Sequence, residues 1–198
     1  MLELILVRHG ETAGNLRPTA LGTTDLPLTE RGRRQANSLS RVFALKRPEA
    51  IYTSPLRRAS ETAEAIAQPH GITVETIFDL CERRFGIWEN MAVDDIRAEY
   101  EAEYTAWQQD LADYAIPGGE SARQVYDRCA EVINELLKKH NEGSVVVVSH
   151  LGTIRCILAY LLGMGIEGSW RFQVNNGGIC RVMIDENASG VLTAFNEV

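Results

Sequence analysis

Two histidines of this chain stand in the same setting. His9 follows the apolar run Leu4-Ile5-Leu6-Val7 and Arg8, and precedes Gly10; His150 follows Val145-Val146-Val147-Val148 and Ser149, and precedes Leu151-Gly152. Neutral imidazole is a nucleophile and proton carrier near pH 7, the Arg8 guanidinium is a permanently charged fork suited to phosphate or carboxylate, and glycine admits close backbone approach. A third basic group, Arg57-Arg58, follows Thr53-Ser54-Pro55. Brought to one point, these residues could bind an anion and attack it. Apart, each would be a solvated strand end, so the elements that carry them decide the matter.

The runs at 4–7 and 145–148 are continuously apolar, which predicts strands buried on both faces of a sheet. Residues 50–52 and 72–74 read as shorter strands. Thr29 predicts an N-cap for a helix carrying Ala36, Leu39, Val42 and Phe43 toward Pro48; Ser54 and Pro55 predict the cap and first residue of a helix carrying Arg57, Arg58, Ala63 and Ile66. Residues 15–27 and 79–88 read as loops over the site. Residues 90–114 are expected to be helical, 116–119 to break the chain, and 120–139 to form a helix with the stripe Val125, Cys129, Val132, Ile133 and Leu136. A buried helix over 152–162 is closed by Gly163, and strands over 179–184 and 191–195 join near Asn187 to Gly190. Strands alternating with helices give an α/β three-layer sandwich, a mostly parallel central sheet flanked by helices. Ligands of such sheets bind outside the strands' carboxyl ends. His9, Arg58 and His150 then share one edge.

The chain's 198 residues suit one domain with a core of its own. Its four cysteines, Cys81, Cys129, Cys156 and Cys180, form neither a CxxC pair nor a cluster with histidines, which predicts neither zinc nor a disulfide framework and points to a reducing, cytoplasmic compartment. No apolar stretch approaches membrane-span length. The net charge of −7 argues against nucleic-acid and anionic-membrane partners, which need a basic footprint. Arginines converging in one pocket would still make a locally positive site. The oligomeric state stays open, with a dimer as one option.

Arg8-His9-Gly10-Glu11-Thr12 with Asn15 resembles the signature of the histidine phosphatase superfamily, the phosphoglycerate-mutase-like proteins. Four further stretches resemble that family in the expected order: Leu28-Thr29-Glu30-Arg31-Gly32; Thr53-Ser54-Pro55-Leu56-Arg57-Arg58-Ala59 with Thr62-Ala63; Leu80-Cys81-Glu82 with Phe85-Gly86; and Val148-Ser149-His150-Leu151-Gly152. The resemblance spans nearly the whole chain. It implies one phosphoglycerate-mutase-like domain over 1–198, with 88–118 as a helical lid.

The resemblance also implies a division of labour. His9 would be the nucleophile that becomes phosphohistidine. Arg8, Asn15, Arg58 and His150 would hold the phosphoryl oxygens, with Thr23 and Leu151 contributing at the substrate. Glu82 would be the acid-base, and Glu11 would do structural work, capping or orienting Arg8. Arg57, Arg83 and Arg84 stand as rim contacts or plain surface charge. No cofactor and no metal are expected, because the ligand set offered by four histidines is thin.

A phosphatase, a mutase and a non-catalytic phospholigand binder are the alternatives. The interval between Glu82 and His150 lacks the cation-rich insertion of the larger mutases, which favours a phosphatase acting on a phosphorylated small molecule. Phe85-Gly86-Ile87-Trp88-Glu89, Tyr104-Thr105-Ala106-Trp107, Ile116-Pro117 with Gly119-Glu120, and Trp170-Arg171-Phe172-Gln173-Val174 resemble the α-ribazole phosphatase subfamily. Leu21 departs from the family pattern, in which that position is more often polar. Residues 90–114 carry seven acids, Asp94, Asp95, Glu99, Glu101, Glu103, Asp110 and Asp113, against Arg97. Facing the site, these would repel a second anionic group, while Tyr100, Tyr104, Trp107, Tyr114, Trp88 and Trp170 offer faces for a flat ring.

Overall fold

The computed structural model describes residues 1–186 and 188–197. One sheet of six strands organises it: β1 (Leu2–Arg8), β2 (Ala50–Thr53), β3 (Val74–Thr76), β4 (Gly143–Ser149), β5 (Ile179–Ile184) and β6 (Gly190–Glu197), in the spatial order β3-β2-β4-β1-β5-β6. The first four are mutually parallel, and β5 and β6 are antiparallel additions beside β1. The sheet is therefore mixed, its parallel part carrying the basic strand ends. Asn187, in the expected β5–β6 turn, lies outside the described residues.

The continuous apolar runs are the central strands because both their faces are covered. Leu4, Leu6, Val145 and Val147 point to one side, into a core built with α5 (Ala122–Lys139) and α6 (Leu151–Leu161). Ile5, Val7, Val146 and Val148 point to the other, where α1 (Glu30–Phe43) contributes Leu39 and Phe43, and α2 (Arg57–Ala67) contributes Ala59, Ala63 and Ile66. This alternation of successive side chains is the period of a pleated strand, and it produces the three layers. The Thr29 side chain caps α1 by accepting the Gly32 N–H, and a Ser121/Gln124 capping box opens α5, whose buried stripe is the expected one.

Two local expectations fail. The second helix starts at Arg57 with Leu56 as its N-cap, so Pro55 is not its first residue and Ser54 does not cap it. Strand β3 is shifted to Val74–Thr76, where it pairs with Ile51–Thr53 of β2. The stretch 90–114 is helical in most of its length, as α3 (Val93–Glu99) and α4 (Glu101–Gln109) with a break at Tyr100, φ −129° and ψ 47°. It packs on a small core of its own around Trp88, Ile96 and Ile116. A last short helix, α7 (Gly165–Gly168), follows α6.

Candidate active site

Strand register builds the floor of the site. Val7 is paired with Val148 and Arg8 with Ser149, and the His9 N–H donates to Ser149 O at 3.0 Å, so the two histidine-bearing ends leave the sheet side by side. The rings of His9 and His150 lie 5.1 Å apart between centroids. His9 is 3% exposed. Its Nδ1 lies 2.7 Å from Gly10 O; a carbonyl only accepts, so Nδ1 carries the proton and Nε2 keeps its lone pair. Burial above all, then the Arg58 and Arg8 guanidiniums, holds the His9 pKa well below 6.5, and the ring is neutral.

Arg58 is fully buried beneath this pair. Its Nε donates to His150 Nδ1 at 3.1 Å, and its terminal nitrogens donate to Thr24 O at 2.8 Å and Gly22 O at 2.6 Å. Three of its five N–H groups are thereby occupied and one remains on each terminal nitrogen. Because His150 Nδ1 accepts, its Nε2 donates to Ser54 Oγ at 2.8 Å. Both nitrogens of His150 are engaged, and burial with the Arg58 charge depresses its pKa well below 6.5. Ser54, expected as a helix cap, fixes this ring instead and donates in turn to Cys81 Sγ at 3.6 Å.

Arg8 donates one terminal N–H to Val174 O at 2.7 Å, while its buried Nε has no partner. A buried donor without an acceptor is costly unless something supplies one, and an anion would do so. Burial pushes the Arg8 pKa down to about 10, against the opposing attraction of Glu82, and leaves the guanidinium charged near neutral pH. Asn15 uses its amide oxygen on the Thr12 N–H at 2.9 Å and on Asn176 Nδ2 at 3.2 Å, leaving its own amide donors for a ligand.

Glu82 is 8% exposed and points to the opening of α6: Oε2 accepts the Gly152 N–H at 3.0 Å and Oε1 accepts the Arg83 N–H at 2.9 Å. Position 152 has to be glycine for this seat, since a Cβ there would come within 2.4 Å of Glu82 Oε1. The loop that carries Glu82 is tied down from behind. Arg128 donates to Glu82 O at 3.3 Å and pairs with Glu120 at 3.1 Å, and Glu120 accepts the Arg84 N–H at 2.9 Å.

Above this floor opens a cavity of about 420 Å³. Arg8, His9, Asn15, Glu82 and Leu151 line it, with Leu21, Phe85, Trp107, Leu111, Val125 and Trp170 as an apolar wall and Arg83 and Arg155 as further cations. Thr23 is exposed and stands outside the lining. Arg57 and Arg84 are exposed too. Glu11 does not reach Arg8; it accepts from Thr29 Oγ1 at 2.9 Å and faces Arg31 at 3.4 Å, clamping the start of α1. The acids expected to face the site do not: six of the seven are exposed, and none lines the cavity. The inward face of α3 and α4 is taken by rings, and the charges turn to water. Of the six rings, Trp107 and Trp170 reach the cavity, while Trp88, Tyr100, Tyr104 and Tyr114 pack in the small core beneath.

Sequence reading missed Asn176, whose Nδ2 also donates to His9 O at 3.1 Å, and the neighbouring Gly177 N–H, which bonds Arg8 O at 3.0 Å. The Asn175-Asn176-Gly177-Gly178 turn before β5 was the available signal. Among the described residues no group of three or more His, Cys, Asp or Glu side chains stands where it could hold a metal ion, and no helix is long and apolar enough to cross a membrane.

The family model for the histidine phosphatase superfamily (branch 1) matches residues 4–197. The chain is 32% identical over 192 residues to phosphoserine phosphatase 1 of Hydrogenobacter thermophilus, covering 97% of this chain and 91% of that protein. It is 34% identical over 187 residues to adenosylcobalamin/alpha-ribazole phosphatase of Escherichia coli K12, covering 94% and 91%. The crystal structure of the alpha-ribazole phosphatase from Shigella flexneri superposes with a TM-score of 0.91 at 31% identity, covering 98% of this chain and 96% of that one.

Proposed function

We propose that this chain, which belongs to the histidine phosphatase superfamily (branch 1) and is a phosphatase, hydrolyses phosphate monoesters through a phosphohistidine at His9. The observation that carries the reading is the neutral, buried His9, protonated on Nδ1 with Nε2 left as a nucleophile, beside the unpartnered Arg8 Nε. Nε2 attacks phosphorus, the P–O bond to the alcohol breaks, and a protonated Glu82 gives its proton to the leaving oxygen. Water then attacks phosphorus and forms the new P–O bond as the P–Nε2 bond breaks, Glu82 takes the water's proton, and inorganic phosphate leaves with His9 neutral again. Arg8, Asn15 and the two remaining N–H groups of Arg58 supply donors to the three phosphoryl oxygens, where charge accumulates in the transition state. His150 reaches the same group by trading its Ser54 contact for a phosphoryl oxygen. Leu151 borders the substrate, and Thr23 drops to the periphery.

For the alcohol, the reading is a nucleoside-like monophosphate, α-ribazole 5′-phosphate being the candidate, handled in the cytoplasm as part of cobalamin synthesis. Trp107, Trp170, Phe85 and Leu111 on the cavity wall support it, since a flat, weakly charged ring gains by stacking there. Arg83 and Arg155 on the same wall favour a second reading, a monophosphate bearing a carboxylate such as phosphoserine.

Rapid quench with labelled substrate is expected to trap an acid-labile, base-stable phosphoenzyme, absent from His9→Ala and still formed after exhaustive chelation. Turnover without that species, while dephosphorylation is slow, refutes the nucleophile. A kcat/KM panel with α-ribazole 5′-phosphate, phosphoserine and 3-phosphoglycerate separates the two substrate readings.

A further inference from the structure

Glu89 lies outside the cavity lining, yet its one carboxylate gathers four donors. Oε1 accepts the Gly22 N–H at 3.0 Å, the Thr24 N–H at 2.9 Å and the Thr24 hydroxyl at 2.8 Å, and Oε2 accepts the Phe85 N–H at 3.4 Å. The carbonyls of the same two loop residues, Gly22 and Thr24, are the acceptors for the terminal nitrogens of Arg58. Residues 22–24 are thus gripped by Glu89 through their N–H groups and by Arg58 through their carbonyls. There is no slack at the centre of this grip: a Cβ on Gly22 would come within 2.3 Å of Arg83 O and 2.6 Å of Glu89 Oε2. The start of the loop is fastened to the segment after Glu89, by Asn90 N–H to Ala20 O at 2.8 Å and Ala20 N–H to Met91 O at 2.9 Å.

We propose that Glu89 is a positioning residue for phosphoryl transfer: by holding the peptide groups of 22–24, it fixes the two carbonyls that aim the Arg58 guanidinium. The inference rests on the reading of Arg58 as a ligand of the phosphoryl group. Bonds from N–H groups to a carboxylate are charge-assisted and short-ranged, so the aim of Arg58 depends on that charge. A glutamine in its place keeps the shape but turns an N–H₂ group toward N–H donors.

The test compares wild type, Glu89→Gln, Arg58→Lys and the double variant in vanadate affinity, read by tryptophan emission, and in kcat/KM on nitrophenyl phosphate. Glu89→Gln is expected to weaken vanadate and lower kcat/KM by about tenfold with Arg58 present, and by less than about twofold in the Arg58→Lys background. An equal loss in both backgrounds overturns the positioning role and leaves the phosphatase reading intact. Wild-type values in Arg58→Lys itself refute Arg58 as a phosphoryl ligand and the inference with it. If Glu89→Gln or the double variant is too unstable to assay, Thr24→Val, which deletes only the hydroxyl arm, is expected to weaken vanadate by about two- to fivefold. Unchanged affinity in that variant overturns the proposal.

Discussion

The floor and the upper wall of the cavity are built on opposite principles. His9 lines the cavity, and Arg58 and His150 lie fully buried behind it, at the ends of parallel strands or the first turn of α2; His9 Nδ1 bonds its neighbour Gly10, while Arg58 and His150 bond each other and are held by Gly22, Thr24 and Ser54. The upper wall comes from Phe85, Trp107, Leu111 and Trp170 on short helices and loops; Phe85 and Trp107 pack on the separate small core, and Trp170 is 40% and Leu111 38% exposed. The floor is tied to the sheet, so moving one of its groups disturbs strand register. None of the wall residues lies on a strand, so its side chains can change with the sheet left in place. Reaction type and substrate preference are thereby lodged in structures of different stiffness.

The sharpest way to break this comparison is to ask Glu82 for its role, because it belongs to the floor by burial and borders the wall by position. As proton donor to the leaving oxygen, its replacement in Glu82→Gln should slow alkyl phosphates by about 10²–10⁴-fold and nitrophenyl phosphate, whose anion leaves unaided, by less than about tenfold. Equal slowing of both esters in steady-state assays would remove Glu82 from proton transfer.

Trp107→Ala probes the wall alone. It should lower kcat/KM for α-ribazole 5′-phosphate by about tenfold, within the roughly 1–3 kcal/mol of a stacked base, and change phosphoserine by less than about threefold. A matching loss on phosphoserine would mean that the ring supports the floor and that the two regions are not separable.

The last effect concerns stability and belongs to the floor. His9 and His150 are held neutral in the fold, with pKa values well below 6.5, while in the unfolded chain both bind protons as pH falls past that value. Above pH 6.5 they contribute no pH dependence. Below it, stability should fall by up to about 1.4 kcal/mol per pH unit for each histidine, until the folded-state pKa is reached. Urea denaturation between pH 7 and 5 measures the slope, which His9→Gln should roughly halve; an unchanged slope would show that other groups set it.

How much of this was legible in the sequence follows the same division. The floor was readable, because a strand buried on both faces leaves a continuous apolar run and a polar residue after it must sit at the sheet's edge; His9, Arg58 and His150 were placed correctly on that ground. The wall was not. The break at Tyr100 leaves no mark in the residue pattern of 90–114, and nothing in residue order distinguishes Trp107, which reaches the cavity, from Trp88, which packs beneath it. The seven acids suggested a negative lid only because their direction was invisible: charge follows water, and rings claim the inner face. Ser54 has the residue type of a helix start yet holds an imidazole, a contact across 96 residues of chain.

The depth at which His9 lies also orders events in time. At 3% exposure its ring is reached through the cavity it lines, by alcohol and water alike. On the proposed phosphohistidine mechanism, the second half-reaction then waits for the first product to clear, and an alcohol that lingers against Trp107 takes the phosphoryl group back before water does. Whether such a site hydrolyses or transfers becomes a question of residence time at its entrance, and the apolar wall, remote from the chemistry, acts as its clock.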